Sequence, residues 1–135
     1  MTGLGDQSPP VVLVVEDEPL VRMLAVDILE DEGFEVVEAS TAAAVLALLE
    51  KRGDVTALFT DIDMPGGMNG LELAKVVHDR WPKVALVVTS GVFRPAADKL
   101  PNDGVFIQKP YATSAPVRVI RELIRRKLEG SAGLS

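Results

Sequence analysis

Ala57-Leu58-Phe59-Thr60-Asp61-Ile62-Asp63-Met64-Pro65 contains an apolar run that ends in an aspartate, and two other apolar runs of the chain also end in charge. Val11-Val12-Leu13-Val14-Val15 is followed by Glu16-Asp17, and Val105-Phe106-Ile107-Gln108 by Lys109-Pro110. Short, largely β-branched runs of this kind read as strands buried on both faces, the mark of a parallel sheet. Charges have no place inside such strands. Just past the strand ends they converge, because all carboxyl ends of parallel strands point one way. The working site is therefore expected in a crevice at that edge, where Glu16, Asp17 and Asp61 face Lys109.

With 135 residues the chain is one domain, long enough for a full hydrophobic core. Its composition, 47% apolar and 25% charged, suits a soluble globular protein, and no apolar stretch approaches the ~20 residues that span a bilayer. Met1 to Pro10 lacks the basic start and apolar core of a signal peptide, and without cysteine zinc-thiolate and redox chemistry are excluded. A cytoplasmic protein with no membrane contact is expected. The net charge of −6 disfavours nucleic acid, whose partners present clustered cations. Arg118, Arg121, Arg125, Arg126 and Lys127 read as a solvated helix face.

Outward from the deciding stretch, strands are expected at Val11 to Val15, Phe34 to Val37, Thr56 to Thr60, Val84 to Thr89 and Val105 to Ile107. Helices fall between them. The first runs from Pro19 to Asp31 with Val21, Leu24 and Ile28 inward; the second follows a Ser40 or Thr41 cap to Lys51 with Ala42, Val45 and Leu49 inward. A third spans Leu71 to Trp81, and a last one Thr113 to Leu128 with Val117, Ile120, Ile124 and Leu128 inside. Met64 to Gly70 is a loop. Between Arg94 and Gly104, Pro95 and Pro101 leave room for a helix of one or two turns. Right-handed crossovers then give an α/β, flavodoxin-like doubly wound sheet of five parallel strands, order 2-1-3-4-5, with a short or degenerate fourth helix. The folded domain covers residues 10–128, and 1–9 and 129–135 are expected to be disordered tails.

Carboxylates crowded together repel, so either one has a raised pKa or a cation sits among them. Oxygen-only ligands point to a hard ion, and carboxylates combined with water and a phosphate oxygen are the preferred surroundings of Mg²⁺. A single lysine supplies a point charge for a phosphoryl group. Ser90 adds a hydroxyl, although Thr89 competes for that role, since alternate strand residues face opposite sides. These parts suit formation of an aspartyl phosphate at Asp61.

From about Val11 to Leu128 the chain resembles the response-regulator receiver domains of the CheY-like kind, the phosphoacceptors of two-component signalling. The resemblance rests on VVLVVEDEP, LFTDIDMPGGMNG, VVTSG and IQKPY, in that order. It implies that Asp61 takes phosphate from a phosphohistidine of a sensor histidine kinase or histidine phosphotransfer protein. It further implies that Asp17 and Asp61 ligate Mg²⁺, that Asp63 lends its backbone carbonyl, and that Glu16 acts mainly through water. Lys109, joined to Pro110 by a cis peptide, pairs with the phosphoryl oxygens. Ser90 turns toward the phosphoryl group and Phe106 follows inward, altering contacts with a downstream protein. Phosphorylation-linked dimerisation, the cognate kinase and completeness of the chain are left open.

Two rival readings belong to other classes. Asp61-Ile62-Asp63 resembles the Asp-x-Asp of haloacid-dehalogenase-type phosphatases, in which the second acid protonates a leaving group. There the motif belongs to the first strand, whereas here it lies on the third. The other rival is a receiver-shaped docking module that is never phosphorylated; such modules usually lack the acceptor or the lysine, and this chain has both. A signalling protein rather than an enzyme is expected. His78, the single histidine, reads as a solvated helix residue.

Overall fold

The computed structural model describes residues 8–64, 66–92, 95–96, 99–101 and 104–133, with side chains as far as Gly130. Five strands, β1 (Val11–Val15), β2 (Glu35–Ala39), β3 (Val55–Asp61), β4 (Ala85–Ser90) and β5 (Val105–Gln108), are joined by α1 (Pro19–Asp31), α2 (Ala42–Lys51) and α3 (Gly70–Arg80), with α4 (Ser114–Gly133) last. Every ladder is parallel and the order is β2-β1-β3-β4-β5, the expected doubly wound sheet. Among the described residues no α-helix lies between β4 and β5. Part of the short helix expected between Pro95 and Pro101 falls outside the described residues.

The apolar runs decide this arrangement. All residues of β1 and β4 are buried, while edge strands β2 and β5 are half open. Leu13, Leu58, Leu73, Val77 and Leu86 pack with Val45 on the α2 and α3 side; Val12, Val14, Leu29, Phe59 and Ile120 pack on the α1 and α4 side. Each fully buried side chain of this size contributes roughly 1.5–3 kcal/mol, against about 1 kcal/mol for a helix cap. Core burial thus sets the topology and caps trim the ends.

Several boundaries and faces depart from expectation. Strand β2 starts at Glu35 and runs to Ala39 because it pairs with β1 along its whole length, while Phe34 is buried beneath the end of α1. Helix α3 begins at Gly70, where Asn69 and Glu72 form a reciprocal capping box. In α1 the inner face is Ala25, Val26 and Leu29, and Leu24 is exposed; apolar residues nearly surround this helix, so spacing alone does not select a face. Helix α4 continues to Gly133, through part of the expected tail, and Leu128 is 67% exposed. Twenty helical residues reach ~30 Å, longer than the short β5 beneath, so the end of α4 overruns the sheet. Residues 1–7 and 134–135 of the expected tails lie outside the described residues.

The late basic residues are bound on the surface, where Arg125 and Arg126 pair with Glu122 and Arg121 with Glu32. Among the described residues no helix is long and apolar enough to cross a membrane.

Candidate functional site

Three strand ends and the turns that follow them build the crevice. Asp61 is the last residue of β3, held by pairing with Thr89 and by the Ile62 N–H donating to the Thr89 carbonyl at 2.8 Å. Glu16 directly follows β1, and Lys109 directly follows β5, its N–H donating to the Ser90 carbonyl at 3.0 Å. One carboxylate oxygen from each of Glu16, Asp17 and Asp61 lies within 4.8 Å of the others. The structure therefore brings together residues of three separate motifs. Glu16 and Asp61 are buried, while Asp17 is half-buried at the rim.

Lys109 bridges the two buried acids, with Nζ 3.1 Å from Glu16 Oε1 and 3.4 Å from Asp61 Oδ2. Glu16 also accepts the Glu18 N–H at 3.2 Å, and Asp61 Oδ1 the Asp63 N–H at 3.2 Å. Burial pushes the Glu16 carboxyl above its ordinary value of 4.5, helped by the Asp61 charge and opposed by Glu18 and Lys109. Burial also pulls the Lys109 ammonium down, but the bonds and charges of Glu16 and Asp61 outweigh it and leave Lys109 above its ordinary 10.5. The ammonium is thus secure and Glu16 is the reluctant ion. Among the described residues the ion pairs to these three acids all come from Lys109, so negative charge is left uncompensated, and the donors are all oxygen. That set fits a hard divalent ion such as Mg²⁺.

Ser90 is fully buried and lies on the opposite side of the sheet from Thr89. Its hydroxyl donates to the Asp63 carboxylate and accepts the Val92 N–H at 3.1 Å. The Asp63 side chain thus holds Ser90, a contact that leaves its backbone carbonyl uninvolved. Phe106 of β5, paired with Val88 of β4, packs half-buried against the α2 and α3 core. The Lys109-Pro110 peptide is cis. Tyr111 turns its ring to Phe59, with centroids 6.1 Å apart.

Two supporting residues, Arg22 and Gly70, have no assigned role in the sequence motifs above. The Arg22 guanidinium donates to the Glu16 carbonyl at 2.6 Å and to Glu38 Oε1 at 3.2 Å, tying the acidic turn to the end of β2. Gly70 leaves no room for a side chain, because a Cβ there would lie 2.1 Å from the Asp61 carbonyl oxygen. Thr89, the alternative to Ser90 in the sequence, buries its hydroxyl beside the acceptor strand. Only the capping pair Asn69 and Glu72, which fixes Gly70 at the start of α3, carried a sequence signal that could have been read.

Comparison with known proteins agrees with the fold. A family model described as the response regulator receiver domain matches residues 12–116. The sensor kinase CckA of Brucella abortus is 31% identical over 120 residues, covering 86% of this chain and 13% of that protein. The transcriptional regulatory protein FixJ of Azorhizobium caulinodans is 32% identical over 123 residues, covering 87% and 56% respectively. The chain spans less than two thirds of either relative. Among solved structures, a CheY-like response regulator receiver domain protein from Methanospirillum hungatei matches with a TM-score of 0.80 at 26% identity, over 91% of this chain and 99% of that one.

Proposed function

The chain belongs to the response regulator receiver domain family, and we propose that it accepts a phosphoryl group on Asp61 and signals through altered protein contacts. The observation that carries this reading is the buried Asp61 carboxylate, 3.4 Å from Lys109 Nζ and grouped with Glu16 and Asp17. The donor is a phosphohistidine on a sensor histidine kinase or a histidine phosphotransfer protein. An Asp61 oxygen attacks phosphorus; the new P–O bond forms as the P–N bond breaks, and the electron pair returns to the imidazole. Lys109 offsets charge on the transferring group, and Ser90 offers a hydroxyl to one of its oxygens. Mg²⁺, with Glu16, Asp17, Asp61 and the Asp63 carbonyl as its protein ligands, would add positive charge beside the phosphoryl oxygens. Similarity to a sensor kinase and to a transcriptional regulator supports a two-component setting.

On this reading the protein is a cytoplasmic switch rather than an enzyme, and Phe106 passes the change to a downstream protein. The test is amide NMR with Mg²⁺ and then beryllofluoride, an unreactive phosphoryl mimic. Shifts at Asp17, Asp61 and Ser90 that spread to Phe106 are expected. Asp61→Asn abolishes phosphate uptake and His78→Ala leaves it intact. Uptake by the Asp61→Asn protein would overturn the assignment, and no response to Mg²⁺ would favour a docking module that is never phosphorylated.

A further inference from the structure

Thr89 is 3% exposed, and among the described residues its Oγ1 has no hydrogen-bond partner. It pairs with Asp61 on one side and Ile107 on the other, so its side chain faces the same side of the sheet as the acceptor. There it borders a small pocket of about 10 Å³, whose walls include Glu16, Asp61, Lys109 and Tyr111. A buried hydroxyl is normally satisfied by protein or by ordered water, and one water needs roughly 10–15 Å³ and two to four polar partners.

The neighbouring carboxylates make the complementary demand. Each can accept about four hydrogen bonds, yet among the described residues Glu16 receives one N–H and Lys109, and Asp61 likewise one N–H and Lys109. A threonine hydroxyl can donate or accept, so a single water can join it to these acids. An apolar residue at this position would present no such anchor.

We propose that Thr89 anchors one internal water at the floor of the acidic crevice, with Glu16, Asp61 and Lys109 supplying its other partners. The site is independent of phosphorylation and would exist in the resting protein.

The experiment is oxygen-17 relaxation dispersion of water, which counts molecules held longer than protein tumbling, on the full chain and on Thr89→Val and Thr89→Ser. The isosteric valine should lose one long-lived water and lower the thermal midpoint, whereas serine, which keeps the hydroxyl, should retain the water. A crystal structure of the parent should place that water within hydrogen-bonding distance of Oγ1. An equal count in parent and valine variant, or a valine variant of higher midpoint with no water beside Thr89 in the parent, would overturn the proposal. If the valine variant fails to fold, the parent crystal structure decides.

Discussion

The Ser90 hydroxyl donates its hydrogen bond to the Asp63 carboxylate, joining the end of β4 to the turn after the acceptor. Ser90 is buried and Asp63 is exposed, so the bond reaches from the floor of the crevice to its rim. Hydrogen bonds to charged groups contribute ~1.5–3 kcal/mol. A phosphoryl oxygen that engages Ser90 must compete with this one. Asp63→Ala is expected to tighten beryllofluoride binding roughly tenfold, about 1.4 kcal/mol, by NMR titration at saturating Mg²⁺. Adding Ser90→Ala should cancel the gain. Unchanged affinity in Asp63→Ala would remove the competition argument.

Arg22 holds the carbonyl of Glu16 and the side chain of Glu38 together. Arg22→Ala should loosen the acidic turn and weaken Mg²⁺ binding roughly tenfold, the scale seen when groups that orient metal ligands are removed. Arg22→Lys should recover part of the loss, since a lysine reaches only one of the two oxygens with good geometry. Calorimetry of Mg²⁺ binding checks this, and equal affinities for parent and alanine variant would show that the turn holds itself.

Gly70 packs its α-carbon against the Asp61 backbone, where a Cβ would overlap the carbonyl oxygen at 2.1 Å. Backbone cannot swing aside as a side chain does, so Gly70→Ala should cost more than ~2 kcal/mol in urea unfolding. Gly53→Ala, with nothing within 4 Å of the added carbon, should stay within about 0.5 kcal/mol. Similar losses at both positions would contradict the packing.

Glu16 carries a pH signature. Its folded pKa is raised above 4.5 by burial, so the native state binds its proton more tightly than the unfolded chain. The stability it contributes is full below 4.5 and is lost as pH rises through the raised value. The stability of the parent minus that of Glu16→Gln, from urea melts, should therefore fall over that window and then level off. Lys109 is raised above 10.5; its contribution is complete at neutral pH and disappears only in strong alkali. A difference that grows with pH across the acid window would reverse the sign assigned to Glu16.

Much of this was legible in the sequence because two-sided burial leaves little ambiguity. The runs at Val11, Ala57 and Val84 could be little else than central strands, and charge at their ends had one place to go. Helix α1 was harder, since Leu20, Val21, Met23, Leu24, Ala25, Val26, Ile28 and Leu29 cover most of its circumference. Its inward face is chosen by contact with β2 and α4, which no local pattern encodes. The extent of β2 was likewise set by its partner. At the site, the identities of Glu16, Asp17, Asp61, Ser90 and Lys109 could be read from motifs, but the Asp63 side-chain bond, the Arg22 tether and the crowding at Gly70 are distances between segments. Such relationships become visible only once the chain is folded.

The alternation of side chains along β4 has one more consequence. Thr89 and Asp61 belong to the layer beneath α1 and α4, whereas Ser90, like Val88 and Phe106, belongs to the layer beneath α2 and α3. The crevice is thus a seam where two separately packed interiors come to the surface one residue apart. On the proposed reading, a phosphoryl group on Asp61 would stand over one interior and reach the other through the Ser90 hydroxyl. The sheet is a wall between two rooms, and the neighbours Thr89 and Ser90 open onto different ones.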